Sequence, residues 1–371
     1  MPDLLIPPMS TRMHEGFVSK NSWLETYFEY RRSISSRSDQ EFLAKRFLSA
    51  IGKNNSDLAN RFRGCFLGLA VGDAFGTTLE FSERPVGEVH REMIGKGPFN
   101  LKAGEWTDDT SMALCLAHSL YERKYFDPEH QMDLYTAWWK EGFLSSNGRC
   151  FDIGNTVSAA LEKYSVTGDG YAGSEDEYSA GNGSLMRLCP VVMFYFSNLS
   201  NAIKYSGVSS KTTHANEQAV DCCRFFSALI IGAFRATKKE ELLSSMYSPI
   251  ESYWEYFPLC ERVKNVAEGS YKKKCRDEID SSGYVVSSLE AALWAFYNTD
   301  SFESGLIKAV NLGGDADTIG AIYGQLAGAF YGELGIPFKF IDKLVNPHYF
   351  YFFSDEFVSG YSGRDELMRC K

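Results

Sequence analysis

Gly64-Cys65-Phe66-Leu67-Gly68-Leu69-Ala70-Val71-Gly72-Asp73-Ala74-Phe75-Gly76 places glycine at every fourth position, and Gly320, Gly324, Gly328 and Gly332 repeat the spacing near the other end of the chain. In a helix this spacing lines the glycines along one face. Each helical glycine costs about 1 kcal/mol relative to alanine, so two such ridges require a compensating gain. Close approach of two backbones supplies one. A membrane-spanning pair does not fit, because Arg61, Arg63, Asp73 and Gln325 interrupt the two segments. The ridges therefore predict two tightly packed central helices in a soluble bundle.

Helical periodicity continues outward from these segments. Ala113, Leu116, Ala117 and Leu120 fall at i, i+3, i+4 and i+7, and Leu289, Leu293 and Phe296 follow a similar pattern. Alternating, strand-like stretches are scarce, so the expected class is all-α. With 371 residues, 44% hydrophobic and 15% aromatic, the chain can bury one large core with an appendage. Its nine cysteines lack zinc-type spacing and read as reduced thiols. The net charge of -10 disfavours nucleic acid and anionic membrane, and Lys272-Lys273-Lys274 reads as a solvated loop. The apolar run Phe225 to Phe234 is too short to cross a bilayer, and Asp3 stands ahead of Leu4-Leu5-Ile6 where a signal peptide would be basic. A cytoplasmic location is the expectation.

Residues 1–57 differ from the rest. Pro2, Pro7 and Pro8 precede two short amphipathic segments, with capping boxes at Ser22/Glu25 and Ser38/Glu41. Trp23, Tyr27, Phe28 and Tyr30 sit beside Arg31-Arg32, residue types enriched at binding hot spots. This is either an arm for a partner or a pair of helices docked on the chain's own surface; residues 58–371 form the main domain. A second irregular stretch, Thr167 to Gly183, reads as a long acidic surface loop.

Two helix starts carry clustered acids. Trp106-Thr107-Asp108-Asp109-Thr110 opens one helix, with Thr107 in position to cap it, and acids in a first turn complement the helix dipole. Gly313-Gly314-Asp315-Ala316-Asp317-Thr318 opens the second glycine-ridge helix in the same way. Two clusters of carboxylates and hydroxyls on separate elements point to a shared magnesium or manganese site, since hard cations take oxygen ligands. Asp152-Ile153-Gly154-Asn155-Thr156 adds a carboxylate at a further helix start, where Asp152 alone reads as an N-cap. Gly181-Asn182-Gly183-Ser184 precedes a helix expected from Leu185, and its amides could receive a phosphate. His214 has no metal-ligand partner nearby in sequence; a structural histidine and a catalytic one both remain open.

Taken together, Gly68 to Gly76 with Glu80-Phe81, Trp106 to Thr110, Asp152 to Thr156, Gly181 to Arg187, Thr213-His214 and Asn311 to Gly320 resemble the ADP-ribosylglycohydrolase family in content and order. The resemblance spans about residues 60 to 345. It implies an all-α orthogonal helical bundle with two adjacent divalent metals, Mg2+ or Mn2+, in a cleft. By the same resemblance Thr107, Asp108, Asp109, Asp315, Asp317 and Thr318 ligate the metals, Glu80 and Asp152 border them, Gly181, Asn182, Gly183 and Ser184 receive the pyrophosphate or distal ribose, and His214 lines the pocket. The N-terminal extension and the acidic loop depart from the family pattern.

The implied reaction is removal of ADP-ribose from a modified acceptor, with arginine on a protein expected first. Hydrolysis at the ribose anomeric carbon needs a nucleophilic water and proton delivery to the leaving guanidine, with Asp152 or Glu80 handling protons. Serine-linked or free ADP-ribosyl substrates are the enzymatic alternative, and a binding protein without turnover is the alternative from another class. The complete acid set argues against the last. Some bacterial relatives act as immunity proteins against ADP-ribosyltransferase toxins, so a cognate toxin is a candidate partner for the arm beside the ADP-ribosylated protein substrate.

Overall fold

The computed structural model describes residues 56–87 and 89–369. The expectation that residues 1–57 form a separate arm therefore lies almost wholly outside the described residues. The helices that position the site are α1 (Asp57–Gly76), α2 (Asp108–Arg123), α3 (Pro128–Glu141), α4 (Asn155–Thr167), α5 (Leu199–Ser210), α6 (Glu217–Phe234), α7 (Val285–Tyr297), α8 (Phe302–Val310), α9 (Ala316–Tyr331) and α10 (His348–Arg369). Among the described residues there is no strand, only isolated bridges such as Ser174 with His214 and Gly181 with Tyr284. The all-α expectation holds. No helix among them is long and apolar enough to cross a membrane, and the eight described cysteines are free.

The glycine ridges meet each other. A Cβ on Gly64, Gly68 or Gly72 would lie 2.3, 2.1 or 2.0 Å from the carbonyl oxygen of Gly328, Gly324 or Gly320 respectively, and a Cβ on Gly76 would lie 2.4 Å from Asp317 Cα. Rising numbers on α1 face falling numbers on α9, so the helices are antiparallel, with backbone against backbone. Any side chain in the seam would separate them, and this explains why the helical cost of glycine is tolerated. Gly332 ends the ridge: a Cβ on Gly64 would lie 2.5 Å from its carbonyl carbon, and it also terminates α9 as a C-cap in a positive-φ conformation (φ 74°) beside Asn60.

The antiparallel crossing brings the C-terminal end of α1 to the N-terminal end of α9. Helices α6, α7 and α8 pack around α9, while α2 and α10 pack on α1. A smaller apolar cluster joins α2, α3 and α4 through Met112, Cys115, Met132, Tyr135, Trp138 and Leu161. Helix α2 belongs to both clusters, since Ala113 and Leu116 lie in the main core. Its N-terminus is thereby held against the α1–α9 crossing.

Candidate metal centre and active site

Asp73 organises this junction. Fully buried in the last turn of α1, it accepts hydrogen bonds from the Thr107 amide (2.9 Å), the Thr110 amide (3.0 Å) and the Thr110 hydroxyl (2.6 Å). The Thr107 hydroxyl lies 3.1 Å from Asp73 Oδ1 and equally close to Asp109 Oδ2. Thr107 does occupy the N-cap position of α2, but its side chain makes no capping bond. Asp73, from another helix, satisfies the first-turn amides instead. That role was missed in the sequence, although Asp73 is the one charged residue between Gly64 and Gly76. A carboxylate on a stretch of helix buried all round, as from Phe62 to Gly76, needs partners from elsewhere.

The expected ligands come together around Asp73. Thr318 Oγ1 lies 3.4 Å from Asp109 Oδ2 across the α2–α9 junction. Asp315 is the N-cap residue of α9 and Asp317 sits in its first turn. Carboxylate oxygens of Glu80, Asp152 and Asp317 lie within 4.8 Å of one another, a grouping suited to a cation. Glu80 and Asp152 therefore lie with a predicted ligand, closer than the bordering role implied. Asp152 departs from the N-cap reading in a second way. It stands two residues ahead of the actual cap, Gly154, in a left-handed conformation (φ 59°) that turns the chain.

The electrostatics are those of carboxyl groups crowded together out of water. Burial raises the carboxyl pKa values of Asp108, Asp109 and Asp317 well above the ordinary range, and mutual repulsion among the acids raises them further. Asp152 is pushed up to about 9, by burial first and then by Asp317. Glu80 is raised by burial and then by Asp317 and Asp152, and Asp73 rises to about 6 by burial against its hydrogen bonds. Glu80 Oε2 and Asp109 Oδ1 are buried with no hydrogen-bond partner. Orphaned carboxylate oxygens pressed against other carboxylates fit hard divalent cations, which supply the missing charge and take oxygen ligands.

The Gly181–Ser184 turn abuts this cluster. Asn182 Nδ2 donates to Asp315 Oδ2 (2.7 Å) and to Ser288 Oγ (2.8 Å). The Asn182 amide is already engaged by Gly283 O (3.1 Å), so it is not one of the amides open to an anion. Ser184 faces inward, accepting from Ser210 Oγ (2.7 Å) beside Cys223. The helix expected from Leu185 begins instead at Cys189, after a run of turns. His214 lies beneath the turn, with its Nδ1 at 2.8 Å from Thr213 Oγ1. A Cβ on Gly183 would come within 2.8 Å of the imidazole and one on Gly181 within 3.3 Å. Burial, and then the Arg187 charge, lower the His214 pKa to about 3, so the ring is neutral. Beside the turn opens a cleft of about 830 Å³ lined by Thr156, Lys163, Tyr171, Ser174, Tyr178 and Lys211 among others.

Residues 54–366 match the family model described as ADP-ribosylglycohydrolase. The chain is 44% identical over 286 residues to "ADP-ribosylarginine hydrolase Tri1" of Pseudomonas putida (strain GB-1), covering 77% of this chain and 74% of that protein. It is 33% identical over 295 residues to "ADP-ribosyl-[dinitrogen reductase] glycohydrolase" of Rhodospirillum rubrum, covering 77% and 90%. A solved structure described as "ADP-ribosylglycohydrolase-related protein complex" superposes with a TM-score of 0.69 at 40% identity, covering 81% of this chain and 98% of that one.

Proposed function

The chain belongs to the ADP-ribosylglycohydrolase family, and on that premise we propose that it hydrolyses the N-glycosidic bond between ADP-ribose and arginine on a modified protein. The observation that carries this reading is the meeting of Glu80, Asp152 and Asp317 beside the Asp108, Asp109 and Asp315 carboxyls. Two relatives named ADP-ribosylarginine hydrolase, 44% and 42% identical, favour arginine over serine as the acceptor.

In this reading Thr107, Asp108, Asp109, Asp315, Asp317 and Thr318 hold two divalent metal ions, Mg2+ or Mn2+, and Glu80 and Asp152 adjoin them. When bound, the cations supply electrostatic stabilisation at the ribose and lower the cost of generating a hydroxide nucleophile. The protein's own groups position the reaction. Asp73 holds Thr107 and the first turn of α2, which fixes Asp108 and Asp109. Glu80 and Asp152 form the proton-handling pair: one carboxyl protonates the departing guanidine nitrogen as the C–N bond breaks, and the other takes the proton of the attacking water. The Gly181–Ser184 turn, supported by neutral His214, receives the pyrophosphate or distal ribose, and the adjoining cleft has the size of a nucleotide-binding pocket.

The same proposal assigns residues 1–57 to a partner-binding arm, with a cognate ADP-ribosyltransferase toxin as its partner. The family match begins only at residue 54. Deleting residues 1–57 should weaken binding to such a transferase while hydrolysis of a small substrate persists; a truncated protein that fails to fold would place the arm in the enzyme's core. The central test is release of ADP-ribose from an arginine-modified protein, with magnesium or manganese and with a chelator. Turnover that is insensitive to chelation would refute the metal site, and release from serine-linked but not arginine-linked substrate would refute the acceptor.

A further inference from the structure

Beside the acid cluster stands a row of aromatic rings that the hydrolytic machinery does not use. Phe81 directly follows Glu80, yet Glu80 is 5% exposed and Phe81 68%. The reversal comes from the backbone: Phe81 adopts a left-handed conformation (φ 55°), costly for a bulky residue. Two hydrogen bonds hold it there, Phe81 N to Gly314 O (2.7 Å) and Gly314 N to Ser82 O (2.9 Å), which pin the segment next to Asp315. Phe99 stands edge-on to Phe81 with ring centroids 6.4 Å apart, and Phe151, the neighbour of Asp152, lies 5.3 Å beyond Phe99.

The support under Phe99 is equally specific. It rides a turn closed by paired backbone bonds between Lys96 and Leu101 (2.6 and 2.9 Å). That turn is fastened to the segment leading to Glu80, because Thr78 Oγ1 donates to Gly95 O (2.7 Å) and Gly97 packs directly on Thr77 O. The rim residues Phe81 and Phe151 are thus the chain neighbours of the two proton-handling carboxyls, Glu80 and Asp152, and Phe99 joins them. The segment from Phe151 to Thr156 also orders the site. Its far end approaches the Gly181 turn, where a Cβ on Gly181 would lie 3.9 Å from Thr156 Oγ1. Along this segment Asp152 stands between the rim residue Phe151 and Thr156 at the turn assigned to ADP-ribose.

We propose that Phe81, Phe99 and Phe151 form the acceptor subsite, a rim that takes the arginine side chain with its guanidinium against the ring faces. This rests on the reading of the chain as an ADP-ribosylarginine hydrolase. Ring faces attract cations, and the apolar edges suit the methylene stem of arginine. A serine acceptor offers neither a cation nor a stem.

The test is titration of agmatine against the full chain with magnesium present, followed by ligand-observed NMR, with cadaverine as an ammonium control of similar length. The parent is compared with Phe81→Leu and Phe99→Leu, which keep apolar bulk and remove the π face. The parent should prefer agmatine to cadaverine, and each variant should weaken agmatine binding by about three- to thirtyfold, with a matching rise in KM for an arginine-modified protein. Absence of agmatine binding by the parent, or equal affinity in parent and both variants, overturns the subsite. If the parent releases no ADP-ribose from arginine-modified protein while agmatine binding still depends on the rings, the functional reading fails and the guanidinium site stands.

Discussion

Gly68→Ala places a single methyl group in the seam between α1 and α9. Its Cβ would lie 2.1 Å from the Gly324 carbonyl oxygen, more than 1 Å inside ordinary van der Waals contact, and 2.9 Å from the carbonyl carbon. Both partners are helix backbone, so no rotamer change relieves the clash and the helices must part. Overpacking of this kind costs about 1–3 kcal/mol, with the upper end expected where backbone meets backbone. The gain in helix propensity offsets about 1 kcal/mol. A net loss of about 2 kcal/mol corresponds to roughly 3 °C in melting temperature for a domain of this size. Activity should fall further than stability does, because parting the helices moves Asp73 and Glu80 away from Asp315 and Asp317. Thermal and urea unfolding, read beside ADP-ribose release, give both quantities. Gly154→Ser is the control, since a Cβ at Gly154 meets nothing within 4 Å and serine suits the N-cap position Gly154 holds. A Gly68→Ala protein as stable as its parent would refute the close-packing argument.

Asp108→Ala and Asp317→Ala should abolish turnover and leave a folded protein, because each removes a carboxylate that repels its neighbours; circular dichroism and an activity assay check the two halves, and normal turnover in the double variant would sink the metal reading. In chelator, stability should fall as pH rises. The folded-state pKa of Asp152 is raised from 3.8 to about 9, so the folded chain binds more protons than the unfolded chain between those values, and stability present below the lower one is lost through the upper one. Melting temperatures across that window should decline less in Asp152→Asn and with saturating magnesium or manganese; a flat profile in chelator would contradict it. Asp73→Ala leaves two amides and the Thr110 hydroxyl of the α2 start without their Asp73 acceptor and should cost about 3 kcal/mol in chemical denaturation, a cost of a few tenths being incompatible with its organising role. Gly183→Ala should raise KM by pressing the turn onto His214, and His214→Ala in the same chain should recover part of the loss; strict additivity in that double-mutant cycle would show that the contact is not what couples them.

Much of the fold is legible in the chain, for local reasons. Glycine at every fourth residue describes a helix face, and its helical cost announces a close partner whatever that partner is. Clustered acids at Thr107–Asp109 and Asp315–Thr318 likewise declare helix starts, because capping and dipole effects act within one turn. The family likeness depends on the same short motifs, each of which keeps its meaning when read alone. What periodicity cannot convey is distance between residues far apart in sequence. Asp73 as the acceptor for the start of α2 depends on how α1 and the neighbouring helices cross, and the displacement of Asp152 from the cap to a left-handed turn depends on the course of its loop. The meeting of Glu80, Asp152 and Asp317, and the line of Phe81, Phe99 and Phe151, depend on loops shaped in part by hydrogen bonds to Gly314 and Gly95 and by the packing of Gly97 on Thr77. Local sequence specified each element and its exposed chemistry. The antiparallel register of two glycine ridges, a steric fit between segments some 250 residues apart, decided which of those chemistries share a site.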